Sequence, residues 1–262
     1  MRAIYGYRDL VLTLVARELK VRYRRSIIGF LWTMLQPLLM MLVFYVVFSE
    51  LFRFNMPHYP VYALAGILFW NFFSQSIVAS MNSLRGNATL LQKLPVPKAV
   101  FPLATVISGV VNLLFALVPT LLIVAIFEHR PGTPWWSGLS PALLFLPVSI
   151  LILALFTLGA GLLLSPLAVF FSDVVELIGV LLTVLLYLTP IFYPYEALPA
   201  KMRWVVRFNP LRSILEVFRD PIQWGKVPPL SHLAVSVAIA AVALAIGALA
   251  FRRSSDRIPF YV

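Results

Sequence analysis

Long uncharged runs alternate with short charged connections along all 262 residues. Five runs, at 27–49, 59–84, 99–127, 142–171 and 232–251, contain no Asp, Glu, Lys or Arg. Each reaches the roughly 20 residues that a helix needs to cross a hydrocarbon core of about 30 Å. A sixth run, 177–195, carries Pro190 and Pro194. Its uninterrupted part, 177–188, makes only about 18 Å of helix at about 1.5 Å per residue. Proline frees backbone groups that lipid cannot satisfy, so this element is expected to end in irregular backbone buried inside a bundle. The pattern predicts an all-α integral membrane protein.

Two connections carry more than turn signals. At 100° per residue, Leu12, Val15, Ala16, Leu19, Tyr23 and Ile27 share one face, with Thr13, Arg17, Lys20 and Arg24 on another, which predicts a helix along the membrane surface. Glu18 and Arg22 can pair at i, i+4 on its flank. Leu10, Leu14 and Val21 fall off the apolar stripe, and contact with a partner protein explains them better than lipid does. The second connection, RGNATLLQKLPVPK at 85–98, reads as a short helix stopped by Pro95 and Pro97. Its Leu90, Leu91 and Leu94 either enter a partner's groove or pack on the bundle. Within the spans, small residues form two stripes, Ala234/Ala238/Ala241/Ala245/Ala248 and Thr157/Gly161/Ser165, of the kind that lets helices approach closely.

Composition narrows the class. With 61% apolar and 12% charged residues, the chain has too little charge to solvate a soluble surface of its size. The net charge of +11 comes from basic residues between apolar runs, where they set topology and meet anionic headgroups, so no nucleic-acid partner is expected. The first run is longer than the 7–15 or so apolar residues of an export signal, so the N-terminus is expected to be retained. The absence of cysteine excludes disulfides, thiolate metal sites and a cysteine nucleophile. Six spans with the N-terminus inside place 13 Lys and Arg inside and 8 outside, whereas five spans give 16 and 5. Charge alone therefore slightly favours five, although the 196–229 connection is long and amphipathic.

Candidate chemistry is sparse. No span holds an ionisable residue near its middle, and His58, His129 and His232 lie at span edges or in loops, which argues against a proton-coupled carrier or an intramembrane hydrolase. No G-x-x-x-x-G-K-[ST] phosphate loop occurs, so energy for uphill movement must come from another subunit. The only close acidic pair in an expected cytoplasmic connection is Asp173/Glu176, thin support for a membrane-embedded transferase. A polar polymer with apolar C–H faces would slide past aromatics and neutral hydrogen-bonding groups. Candidates for such a lumen are Trp32, Phe69, Trp70, Tyr187, Phe192 and Tyr193, with Asn71, Gln75 and Asn82 on one face of the second span. The same aromatics would also suit interfacial belts, and the amides helix–helix contacts. Arg17, Lys20, Arg24 and Arg25 suit a lipid diphosphate, anionic lipid or a protein partner alike.

The segments KVRYRRSIIGFLWTMLQPLLMMLVFYVVFS, YALAGILFWNFFSQSI, NATLLQKLPVPKAVFPLATVISGVVN, LAVFFSDVVELI and LTPIFYPYEALP…NPL resemble, in order, the permease subunit of ABC exporters for lipid-linked polysaccharides of the O-antigen, capsule and teichoic-acid type. The combination of R-Y-x-x-S-x-x-G-x-x-W with T-P-I-x-Y-P is specific, whereas each block alone is weak. The resemblance implies a homodimer of six-span subunits in a bacterial inner or plasma membrane. Each subunit would have an N-terminal interface helix at 1–26, a bundle at 27–251 with external re-entrant helices before the last span, and a cytoplasmic tail at 252–262. It implies two copies of a cytoplasmic ATP-binding subunit that hold ATP and Mg²⁺, with no cofactor in this chain. It assigns docking on that subunit to Arg17, Lys20, Arg24 and Arg25 and to Arg85, Asn87, Leu90, Leu91 and Lys93, with Arg24 and Arg25 also near the lipid headgroup. One departure is visible, since the family's F-F-R-D is Phe170, Phe171, Ser172 and Asp173 here. An ABC exporter of a drug or small lipid, and a transferase acting on lipid-linked sugar, are the alternatives.

Overall fold

A computed structural model describes residues 6–23, 29, 31–47, 59–93, 96–127, 139–258 and 261. Among them all regular structure is helical: α1 Arg8–Tyr23, α2 Leu31–Val46, α3 Tyr59–Ser83, α4 Ala88–Lys93, α5 Val100–Phe127, α6 Leu146–Phe170, α7 Val174–Leu188, α8 Ala200–Arg207, α9 Pro210–Gln223 and α10 Leu230–Ser255. Four helices, α3, α5, α6 and α10, are long and apolar enough to cross a membrane, while α2 and α7 are shorter apolar helices. Some hydroxyls inside the spans bond back to their own helix, as Thr120 does to the Ala116 carbonyl (2.9 Å) and Thr157 to that of Leu153 (2.8 Å). Self-satisfaction of this kind is what makes such residues tolerable in an apolar run.

The most enclosed of the four long helices is α3, and the least is α10. Their neighbour α6 offers a different small-residue face to each. On one face Thr157, Gly161 and Ser165 are buried, and a Cβ at Gly161 would stand 2.8 Å from Ser80 Oγ on α3. On the other face, a Cβ at Gly247 would fall 2.0 Å from the Gly159 carbonyl oxygen, so the backbones of α6 and α10 touch. This contact corrects the expected alanine stripe. Ala234, Ala238, Ala241 and Ala245 point outward, and Ser236, Ala240, Gly247 and Phe251 are the buried residues of α10. Backbone contact needs glycine, so the ridge that contains Gly247 turns inward and the alanine ridge does not.

One end of the bundle gathers α1, residues 85–93 and 96–98, and the end of α10. Val11, Leu14 and Val15 share an apolar cluster with Leu84, Leu91, Val100, Phe101, Phe251 and Ile258. The Lys98 ammonium donates to the Ser255 carbonyl at 2.5 Å, and the rings of Phe170 and Tyr261 meet edge-on at 5.1 Å. The N-terminal helix and the C-terminal end therefore lie at the same end. The expected face of α1 is corrected in part: Val15 is buried and Leu19 packs against the same cluster, but Leu12 is 63% exposed and Ala16 is exposed, and the buried ridge is Val11, Leu14 and Val15, flanked by half-buried Leu10. The helix has two apolar ridges, and the one that meets the span ends is buried. Leu10 and Leu14 thus contact the chain's own bundle rather than a partner.

At the opposite end, residues 189–195 and α8 precede α9, which is tucked between α3, α6 and α10 with Leu211, Ile214, Leu215, Val217 and Phe218 fully enclosed. The Asn209 side chain caps α9 by accepting from Leu211 N–H at 3.0 Å. Gly225 ends the segment at φ +57°, where the Ser140 hydroxyl donates to its carbonyl at 2.7 Å.

Candidate functional site

The stretch T-P-I-F-Y-P leaves α7 as irregular backbone, and the bundle supplies its missing partners. Arg219 on α9 donates from Nη1 to the Pro190 carbonyl (3.0 Å) and from Nη2 to that of Ile191 (3.1 Å). The Tyr62 hydroxyl lies 3.0 Å from the Pro190 carbonyl oxygen and 2.6 Å from that of Tyr193, and the Tyr59 hydroxyl donates to the Phe192 carbonyl at 3.0 Å. Asn209 Nδ2 reaches Thr189 Oγ1 at 2.9 Å. The guanidinium also sits 3.8 Å from the Tyr62 ring centroid. Gly66 makes room for it, because a Cβ there would stand 2.6 Å from Nη2. The expected buried, irregular end of the sixth run is present. Its keeper, Arg219, is a residue the sequence reading missed. The available signal was its place on the apolar ridge Leu211, Leu215 and Ile222 of an otherwise amphipathic helix.

Beside this clamp, carboxylates gather on the outer side of α9. Glu216 accepts from Arg212 Nε at 2.7 Å and lies 3.5 Å from His232 Nδ1. Burial and then the Glu216 charge push the Asp220 carboxyl above its ordinary value.

A groove of about 300 Å³ runs between α2, α3 and α5. Trp32 and Gln36 line it from α2, Asn71 and Gln75 from α3, Asn112 from α5, and Glu18 from α1. On the highly enclosed α3, Gln75 and Asn82 are nonetheless exposed and Asn71 is half-exposed. Carboxamides open to lipid in mid-span would be costly, so this strip faces water or another polar surface. The structure thus brings Trp32, Asn71 and Gln75 together and adds Gln36 and Asn112, for which the signal was an amide inside an otherwise apolar run.

The other expected lumen aromatics lie elsewhere. Phe69 is fully buried with its ring 6.0 Å from that of Phe218, and Trp70 packs 5.8 Å from Phe73. Phe192 stacks on Phe44 at 4.0 Å. Tyr187 is exposed, and its carbonyl accepts from the Tyr193 hydroxyl at 2.5 Å. The helical period explains the split on α3: Asn71, Gln75 and Asn82 follow the open strip, and Phe69 and Trp70 turn into the packed interior.

At the end that gathers the N-terminal helix, Arg17 Nη2 donates to Asn87 Oδ1 at 2.5 Å, and Asn87 Nδ2 donates to the Ser83 carbonyl at 2.7 Å. This ties α1 to the first connection. Arg85 Nη2 reaches the Val169 carbonyl at 3.3 Å. Leu91 is buried under α1 and Leu90 is half-buried, so Leu91 belongs to the chain's own cluster, while Lys20, Gly86, Thr89, Gln92 and Lys93 form the exposed surface. Ser172, standing where the resemblance expects arginine, donates to Asp173 Oδ1 at 3.1 Å. The expected roles of Arg24, Arg25, Ile27, Leu94 and Pro95, the side chain of Arg22, and His58 and His129 lie outside the described residues.

Comparison with known proteins gives these surfaces a context. The O-antigen export system permease protein RfbA of Myxococcus xanthus is 31% identical over 93% of this chain and 92% of its own length. The protein of the same name from Klebsiella pneumoniae is 29% identical over 81% of this chain and 79% of its own length. The polysialic acid transport protein KpsM of Escherichia coli is 25% identical over 93% and 92%. The family model described as ABC-2 type transporter matches residues 9–222, with the groove, the clamped bend and the tied N-terminal helix all inside the match, and the chain belongs to that family of membrane-spanning transport proteins.

Proposed function

We propose that this chain is the channel-forming permease subunit of an ATP-driven exporter of lipid-linked polysaccharide. The observation that carries the reading is the groove between α2, α3 and α5, lined by amides from all three helices and by the α2 indole of Trp32, in a chain whose relatives are named as O-antigen and polysialic acid transporters. Sugar hydroxyls exchange hydrogen bonds with carboxamides at little net change, and an indole face suits their C–H surfaces, so a polymer can advance without a deep trap. Hydrolysis of ATP, with its Mg²⁺, falls to a cytoplasmic ATP-binding subunit, two copies of which dock on Lys20, Gly86, Thr89 and Lys93 of two permease copies.

In this reading α2 and α7 complete six crossings, which accords with the N-terminal helix and the C-terminal end lying together. That end is cytoplasmic, and residues 189–229 are external. The open apolar faces of α7, at Leu177, Val180, Leu181 and Val184, meet lipid or the second copy.

The test is reconstitution. The chain is co-expressed with the ATP-binding subunit, purified in mild detergent and placed in vesicles with a polyprenyl-diphosphate-linked oligosaccharide. ATP-dependent movement of the glycan across the bilayer is expected. Failure of any ATP-binding subunit to co-purify, or movement indifferent to ATP, overturns the reading.

A further inference from the structure

The short helix α8 is amphipathic, and the chain leaves most of its apolar side open. At about 100° per residue, Val206 faces the bundle and is the one buried residue of the helix. Trp204 and, just past the helix end, Phe208 stand on the opposite side, 66% and 69% exposed, with their rings edge-on at 5.0 Å. Met202 and Val205 lie open beside them. The polar side is held instead: Arg203 Nε donates to the Leu198 carbonyl at 2.7 Å, and the Tyr195 hydroxyl donates to the Arg203 carbonyl at 3.2 Å. The helix carries Lys201, Arg203 and Arg207 with no Asp or Glu, and exposed Lys201 and Arg207 flank the two rings. Trp224, Val227 and Leu230, which lead into the α10 span at the same end of the bundle, are exposed too.

We propose that α8 lies flat in the membrane interface, with Trp204 and Phe208 at the acyl boundary and Lys201 and Arg207 on the phosphates of anionic phospholipid. This lipid contact is independent of the cargo that the permease carries. An indole beside a benzyl ring, on a helix with basic flanks, partitions to the headgroup level. In water the same rings would form an open apolar patch, and the re-entrant course that the resemblance implies would carry three cations into hydrocarbon. The interface suits both kinds of side chain, because Lys and Arg lay their stems along the apolar surface and keep the charge at the phosphates. Charge also selects the partner. A twofold contact between copies through this patch would set like cations against each other, whereas an anionic headgroup complements them. The Arg207 guanidinium can hold a phosphate through two parallel hydrogen bonds.

The chain has no cysteine, so Phe208→Cys takes a single nitroxide label. The labelled full chain is placed in vesicles of phosphatidylcholine alone, or of phosphatidylcholine and phosphatidylglycerol in equal parts. The label's access to oxygen, which concentrates in lipid, is compared with its access to a water-soluble nickel chelate. In the phosphatidylglycerol vesicles, oxygen is expected to be favoured strongly over nickel. Omitting phosphatidylglycerol, or replacing Lys201 and Arg207 together by Gln, is expected to lower the ratio of seated to lifted helix by about fivefold per cation, the factor that about 1 kcal/mol for each basic residue at an anionic surface sets. Val205→Cys, which keeps both rings, should give the same order, so the result does not hang on the loss of Phe208. Ready access of nickel in every vesicle places α8 in water and overturns the proposal. Exclusion of both reagents places protein against the rings, as a second copy would, and also overturns it. An oxygen preference indifferent both to phosphatidylglycerol and to the double Gln variant leaves an apolar anchor only, and overturns the assignment of Lys201 and Arg207 to phosphate.

Discussion

The bend at 189–195 and the groove beside α3 both bring polar groups into an apolar bundle, and they treat those groups in opposite ways. At the bend, four consecutive carbonyls from Pro190 to Tyr193 are met by Arg219, Tyr62 and Tyr59 at 2.6–3.1 Å. In the groove, Gln36 and Gln75 are exposed and Trp32 is 51% exposed. Polar groups that are satisfied inside the chain hold a shape, and polar groups left open have interaction to offer something that passes. In an apolar medium both arrangements escape the cost of an orphaned polar atom, one through internal partners and the other through solvent or cargo. The difference predicts which residues matter for stability and which for transport.

The largest effect belongs to Arg219→Leu. It leaves the Ile191 carbonyl without its guanidinium donor and the Pro190 carbonyl with the Tyr62 hydroxyl alone, at about 1–3 kcal/mol for a buried acceptor left unsatisfied, and it removes the cation from the Tyr62 ring. Most of the folded protein should be lost, as read by thermal unfolding and monodispersity in detergent. Arg219→Lys, with a point charge in place of a fork, should recover only part of the stability. If Arg219→Leu melts like the parent, the bend does not depend on its clamp and the contrast with the groove collapses.

Tyr62→Phe is a finer cut at the same place. The ring stays under the Arg219 guanidinium, and only the hydroxyl near the Pro190 and Tyr193 carbonyls disappears. A loss of about 0.5–1.5 kcal/mol is expected, the net worth of one hydrogen bond. On the groove side, Trp32→Ala and Gln75→Leu should move stability by less than about 0.5 kcal/mol, as exposed positions do. Both should keep the ATP-binding subunit and still slow export, whereas Trp32→Phe should be mild. A packed aromatic would instead cost about 3–5 kcal/mol on truncation to alanine. A loss of that size at Trp32, or normal export by both variants, would turn the groove into an ordinary packing face.

The two regions also differ in how far sequence alone reveals them. Four of the five long runs became helices long enough to span, and the first and the sixth became shorter apolar helices, a pattern legible because bilayer thickness sets a length that composition must match. The fate of the sixth run was legible too, since Pro190 and Pro194 force backbone groups to seek partners inside the bundle. The partner itself was not. Arg219 follows Pro190 by 29 residues, and its amphipathic helix reads equally well with the guanidinium in water. Of the residues expected at a lumen, the amides Asn71 and Gln75 line the groove and stood out because mid-span polarity needs a reason, whereas Phe69 and Trp70 are apolar and fit packing or lumen equally. On α1, the residues Val11/Leu14/Val15 and Leu12/Ala16 are similarly apolar, and only packing in the cluster with Phe101 and Phe251 decides between them. The burial of Leu91 was illegible for the same reason, since a leucine beside its own bundle reads equally well as covered by it or as open.

The smallest effect is a pH dependence on the clamp side, at Asp220. Burial and then the Glu216 charge raise its titration above the ordinary range, while the His232, Arg219 and Lys226 charges act in the opposite direction. A carboxyl whose folded titration lies above its unfolded one favours the fold when protonated, and that contribution is lost as pH rises through the folded titration. Asp220→Asn should therefore melt with the parent below the ordinary carboxyl range of about pH 4, where both side chains are uncharged. At neutral pH the asparagine variant should melt slightly higher, because it never places a second anion beside Glu216. Thermal melts of parent and variant across that range read the divergence directly. Should the variant melt lower at neutral pH, the ionised Asp220 would be a net partner of Arg219 and Lys226, and the clamp would owe part of its hold to that charge.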